Sequence, residues 1–180
     1  MNIQNVILGF LLDGPMAGYD LKGKFDESIS YFFEATFSGI YPALRKMERE
    51  GLVIKEVMFQ EGKPNKNVYA ITNKGREAFA EYLASPVAQS VQRSDLLLRI
   101  YFGSHCSDEQ IVKWLAQERA RLQDGLAHLS AMREALLANP ATDPFRMKTL
   151  SFGIEQLQLS LQWVDNELAN YSEGGRRHER

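Results

Sequence analysis

Ile3, Val6, Ile7, Phe10 and Leu11 recur at spacings of three and four, and Asp13-Gly14-Pro15 closes the pattern, so the chain opens on an amphipathic helix. A second helix is expected over residues 18–28, with Tyr19, Leu21 and Phe25 available for packing. The third starts at Ser38, a natural cap, carries Ile40, Leu44 and Met47 as its buried stripe, and stops at Gly51. Two runs rich in β-formers, residues 52–59 and 67–72, flank the turn QEGKPNK with its Gly62, Pro64 and Asn65. Thr72 then caps a fourth helix that reaches about residue 84. Three helices followed by a two-stranded hairpin is the order of a winged helix-turn-helix.

The pattern changes after Pro86. SPVAQSVQRSD is a polar connector, and three helical segments follow, over residues 95–102, 108–138 and 145–171. NPATDP separates the last two, which predicts an antiparallel pair with a short loop. Along the final helix Met147, Leu150, Ile154, Leu157, Leu161, Val164, Leu168 and Tyr171 alternate spacings of three and four, a heptad seam of about three and a half repeats. A second stripe, Phe145, Phe152, Leu159 and Trp163, widens its apolar face, while the preceding helix offers Ile111, Leu115, Leu122, Leu126, Leu129, Met132 and Leu136. A hairpin this apolar cannot bury both stripes against itself, and each leucine left in water forgoes roughly 1.5–3 kcal/mol of burial. A second copy of the chain is the expected cover, with packing against the first domain alone as the alternative, and Met147, Leu150, Ile154, Leu157, Leu161, Val164 and Leu168 are the expected dimerisation residues.

The expected class is therefore mainly α with an α+β wing. The expected domains are a winged helix-turn-helix over 1–84, a linker over 85–94, a helical dimerisation domain over 95–172 and a disordered tail over 173–180.

Composition and charge sharpen this. The 180 residues are 44% hydrophobic and 24% charged, which suits a globular chain with a core. The apolar run over residues 6–12 is too short to span a bilayer and has neither a basic stretch before it nor a cleavage pattern after it, so a cytoplasmic protein without a membrane partner is expected. The single cysteine, Cys106, excludes an internal disulfide and a multi-cysteine metal site. Net charge is −2, yet residues 38–76 hold eight Lys or Arg against four Glu, and residues from 77 onward hold eleven against fourteen Asp or Glu. The asymmetry points to a basic face on one part of the molecule, with ordinary solvated surface charge as the alternative.

That face suits the third helix. A recognition helix needs an apolar stripe to hold it and a row of donors to enter the major groove. Ser38, Tyr41, Arg45 and Arg49 fall opposite the stripe, at spacings of three, four and four. Tyr41 offers a phenolic donor to a phosphate near the helix start, and Pro42 stiffens the first turn where its cost is small. Arg45 is placed for a base edge or a phosphate, with Lys46 and Arg49 adding backbone attraction. Glu48 and Glu50 should then point away from DNA. Lys63, Asn65 and Lys66 at the hairpin turn offer a wing that reaches phosphates or a minor groove, and Tyr19 and Lys22 complete the expected DNA-contacting set from the second helix.

Three segments carry a family resemblance: ILGFLLDGPMAGYDL (7–21), GIYPALRKMEREGLV (39–53) and KNVYAITNKGREAF (66–79). They resemble the PadR family of bacterial transcriptional regulators. The family's glycine-tyrosine pair is matched by Gly18-Tyr19, its tyrosine-proline-x-leucine core by Tyr41, Pro42 and Leu44, and its glycine-leucine-valine exit by residues 51–53. Its tyrosine-x-x-threonine-x-x-glycine is matched by Tyr69, Thr72 and Gly75, while Met47 stands in place of the usual leucine. The later helices resemble a virulence-activator-type C-terminal domain, through FGSHCSDEQI and the region of Trp163-Val164. The resemblance implies a dimer on an inverted-repeat operator in double-stranded DNA, acting as a repressor.

Enzyme readings find no support: there is no phosphate-cradling glycine loop, no HExxH and no serine elbow. No cofactor and no metal are expected, since His105, His128 and His178 are far apart in the chain. Tyr101, Phe102, Trp114 and Trp163 are candidate walls for a small hydrophobic or aromatic effector, with plain core packing as the competing role. The rival of another class is a winged-helix protein-interaction module that no longer touches DNA; the basic surplus around Tyr41, Arg45, Lys63 and Lys66 argues against it.

Overall fold

The computed structural model describes residues 2–29, 31–32, 39–59, 62, 65–89, 93–139 and 143–173. Ser38 and Lys63, two of the expected DNA contacts, and the tail over 174–180 lie outside the described residues. The chain falls into two compact units, Met1–Ser90 and Val91–Arg180.

The first unit contains α1 (Ile3–Leu12), β1 (Met16–Ala17), α2 (Gly18–Ser28), α3 (Ile40–Arg49), β2 (Val53–Met58), β3 (Lys66–Ile71) and α4 (Asn73–Ala84). The second contains α5 (Asp95–Tyr101), a short 3-10 turn (Gly103–His105), α6 (Asp108–Leu137) and α7 (Pro144–Glu173). The chain is mainly helical, with a winged helix-turn-helix at its start. Among the described residues no helix is long and apolar enough to cross a membrane.

The sheet corrects one expectation. The wing is a three-stranded antiparallel sheet in the order β1-β3-β2, not a two-stranded hairpin. Met16 pairs with Tyr69 and Ala17 with Val68, so the two residues after Pro15 tie the helix-turn-helix to the wing before α2 begins. A strand this short carries no alternation for sequence periodicity to detect.

Ile7, Leu8, Leu11, Leu21, Ile40, Ala43, Leu44, Met47, Val53 and Tyr69 form the core of the first unit. The junction between α3 and the wing is fixed by a run of hydrogen bonds. Gly51, at φ +71°, turns the chain out of α3, its N–H bonding to the Glu48 carbonyl while the Leu52 N–H reaches that of Met47. The next carbonyls are taken by the start of α4. Lys74 Nζ donates to the Glu50 oxygen at 2.8 Å, the Thr72 hydroxyl to that of Gly51 at 2.7 Å, and the Thr72 N–H to that of Leu52 at 3.1 Å. Thr72 Oγ1 also accepts from the Gly75 N–H, capping α4. Gly75 must lack a side chain, because a Cβ there would lie 2.2 Å from the Leu52 carbonyl oxygen. The threonine-x-x-glycine motif is thus a clasp that fixes the exit of α3.

In the second unit Ser107 caps α6 by accepting from the Gln110 N–H, with Asp108 and Glu109 complementing the helix dipole. The cores of α6 and α7 meet along Ile111, Leu115, Leu122 and Val164, with Leu157, Leu161 and Leu168 packed alongside. Arg119 and Asp165 pair across the two helices at 2.7 Å.

Candidate nucleic-acid interface

Helix α3 divides cleanly. Ile40, Ala43, Leu44 and Met47 are buried, at most 6% exposed, while Tyr41, Pro42, Arg45, Lys46 and Arg49 are exposed. Pro42 sits in the first turn, where its missing N–H has no helical partner to lose. The Tyr41 ring lies over Gly18 at the start of α2, so close that a Cβ at position 18 would meet ring carbon Cε1 at 2.8 Å. The glycine therefore sets how α3 and α2 approach, and beside it Tyr19 projects into solvent at 73% exposure.

The cations around this face are not equivalent. Lys46 lies 3.7 Å from Glu50, and Lys55 on β2 lies 3.4 Å from Glu48. Lys66, expected at the wing tip, begins β3 and lies 2.8 Å from Asp20 in the first turn of α2. Lys22 is half-buried and Asn65 is exposed. Among the described residues Arg45 and Arg49 have no ion pair, so the two guanidiniums on the outer face of α3 are the uncommitted charges there. Glu48 and Glu50 are both engaged by lysines.

Tyr69 on β3 is buried in the same core as the α3 stripe. Burial pushes its hydroxyl above the ordinary tyrosine range, with Glu48 and Tyr41 adding to the effect and Lys55 and Arg45 opposing it. Sequence reasoning missed Asp20 and Lys55 because each partner lies in a different element, and spacing along one helix cannot reveal it.

Most of the expected dimer seam is buried or packed within the single chain. Leu150, Ile154 and Val164 are 1–4% exposed in the single chain, and Leu157, Leu161 and Leu168 pack on the α6 cluster, while Met147 is half-buried. The second stripe is what remains outside: Phe145, Phe152 and Leu159 are 68, 61 and 64% exposed, and Trp163 is 37% exposed. A three-four seam has the same spacing whether it faces α6 or another copy. Of the expected effector walls, Tyr101 and Phe102 are exposed and meet edge to face at 5.0 Å. Trp114 packs on the α6–α7 cluster, with the Arg99 guanidinium 5.2 Å from its ring centroid.

Residues 7–81 match the model of the transcriptional regulator PadR-like family, and residues 92–172 match that of the virulence activator α C-terminal domain. The PadR-like transcriptional regulator BC1756 from Bacillus cereus is 33% identical, with 94% of this chain covering 98% of that one at a TM-score of 0.85. The chain belongs to the PadR family of transcriptional regulators. This PadR-family chain is also similar to the negative transcriptional regulator PadR of Bacillus subtilis, at 27% identity over 177 residues, or 93% of this chain and 96% of the relative. That relative's structure in complex with operator DNA matches at a TM-score of 0.82 and 26% identity, and its complex with p-coumaric acid at 0.74 and 25%, each covering 94% of this chain and 98% of the other. The Vibrio cholerae virulence activator AphA is 30% identical at a TM-score of 0.76, over 96% of this chain and 99% of that one.

Proposed function

We propose that this PadR-family protein is a homodimeric repressor that lays α3 of each protomer in the major groove of an inverted-repeat operator and is released by a small aromatic effector. The observation that carries the reading is the outer face of α3, where Tyr41, Arg45 and Arg49 are exposed above a fully buried stripe and both arginines are unpaired among the described residues. Arg45 reads a base edge or holds a phosphate, Tyr41 and Ser38 meet the backbone near the helix start, and Lys46 and Arg49 add attraction along it. Tyr19 and Lys22 on α2 follow the backbone, and the wing contributes Lys63, Asn65 and Lys66, with Lys66 exchanging Asp20 for a phosphate.

Repression is supported by the Bacillus subtilis relative, a negative regulator solved on operator DNA. The Vibrio cholerae relative is called an activator, so a promoter–reporter assay, with and without the gene for this chain, reads the sign. Dimerisation is supported by the exposed row Phe145, Phe152, Leu159 and Trp163, displayed on a hairpin in which Leu157, Leu161, Val164 and Leu168 pack in the α6–α7 cluster and Leu150 and Ile154 are buried. The effector class is supported by the p-coumaric acid complex of the relative, with Tyr101, Phe102, Trp114 and Trp163 as walls. Both tryptophans of the chain are in that set, so quenching of intrinsic fluorescence on titration with p-coumaric acid reports binding there.

The decisive experiment is anisotropy titration of operator duplexes selected from host DNA. Arg45→Ala should weaken binding by about 1–3 kcal/mol and leave the dimer intact by sedimentation. Unchanged affinity ends the reading. Selected sites should show half-sites about 34 Å apart or a multiple of it.

A further inference from the structure

Glu48 follows Arg45 by three residues on α3, the spacing at which a carboxylate and a guanidinium on one helix meet. Arg45 nevertheless has no ion pair among the described residues. Glu48 is engaged from the wing instead: Lys55 Nζ lies 3.4 Å from Glu48 Oε1, and both side chains are about one-third exposed, at 35 and 36%. Lys55 stands opposite Tyr69 in the β2–β3 register. Tyr41, Arg45 and Glu48, at spacings of four and three, share one face of α3, and Lys55 reaches that face from β2. The other carboxylate there, Glu50, has its own lysine at position 46.

We propose that Lys55 is a positioning residue for DNA recognition: by holding the Glu48 carboxylate against β2, it keeps the Arg45 guanidinium from folding back onto its own helix. This rests on the assignment of Arg45 as a DNA contact. An arginine clamped by a carboxylate on its own helix has to give up that charge-assisted partner before it can take a phosphate or a guanine edge. A carboxylate left loose at the interface also repels the duplex. Lys55 prevents both, without touching DNA.

The test uses the full chain, a labelled operator duplex and the variants Lys55→Gln, Glu48→Gln, the double change and Arg45→Ala. Lys55→Gln should weaken binding about fivefold, the scale of one partly exposed charge pair. Glu48→Gln alone should bind no more weakly than the unaltered protein. The double change should recover to within about twofold of Glu48→Gln, because removing the carboxylate makes its keeper unnecessary. Two results overturn the proposal. If the double change stays as weak as Lys55→Gln and the salt slope falls by about one, Lys55 is itself a phosphate contact. If Glu48→Gln weakens binding as much as Lys55→Gln, the pair only fastens β2 to α3. Arg45→Ala separates the layers: no loss there removes the DNA assignment of α3, whereas a loss there without rescue removes the proposal alone.

Discussion

Helices α3 and α7 both carry an apolar stripe wider than one partner needs, and they end differently. In α3 the stripe of Ile40, Ala43, Leu44 and Met47 is covered by its own unit, and what faces water is Tyr41, Pro42, Arg45, Lys46 and Arg49. In α7 the row of Leu150, Ile154 and Val164 is covered, yet three large side chains on the neighbouring row stay more than 60% exposed. The first helix is finished as a hydrophobic object, so its remaining surface is chemistry. The second is unfinished, and its remaining surface calls for another apolar body.

The largest effects come from the covered rows. Leu44→Ala and Leu150→Ala should each lower unfolding free energy by about 2–5 kcal/mol, read from denaturant midpoints, since both side chains are at most 1% exposed. A far smaller loss at Leu150 would mean that the seam is not the hairpin's core. Next comes the uncovered row. Phe152→Asp with Leu159→Asp should leave helicity intact by circular dichroism, give monomers in sedimentation, and weaken operator binding about a hundredfold through lost bivalency. A variant that remains dimeric would place the subunit contact elsewhere.

The smallest effects separate the two units by pH. Glu118 on α6 is held below the usual carboxylate range by its hydrogen bond to Arg121, against the opposing effect of burial. Its contribution is present above the unfolded carboxylate value and fades as pH falls through the lowered folded one. Glu118→Gln should therefore remove a few tenths of a kcal/mol near neutrality, and nothing in strong acid. Tyr69 on β3 behaves in the opposite sense: its raised value makes its contribution complete below the unfolded tyrosine range and lost as pH climbs through the folded one. Tyr69→Phe should flatten the alkaline limb of thermal melts and leave the acid limb alone.

Much of this was legible in the chain because it is local. The stripe of α3, its stop at Gly51 and the Thr72 cap each depend on residues a few positions apart, and the structure has them where spacing puts them. What spacing could not carry is partner choice. Met16 and Ala17 form a strand only because β3 is there to pair with them. The α7 seam is periodic toward any apolar neighbour, and the structure supplies α6. Lys66 looks like a tip cation until Asp20, distant in sequence, is found beside it. The family resemblance, by contrast, was carried by short motifs, and the clasp at Thr72 and Gly75 gives one of them a steric cause.

The outer position of β2 has a practical outcome for anyone handling this protein. Ile54, Val57 and Met58 are 46–56% exposed along a strand at the rim of the sheet, Phe59 just after it is 84% exposed, and within residues 53–59 the ionic side chains are Lys55 and Glu56. Those two act as gatekeepers against strand-to-strand stacking between molecules. Purified stock at high concentration should cloud sooner when either is replaced by an apolar residue, which is why glutamine, not methionine, is the informative exchange at position 55.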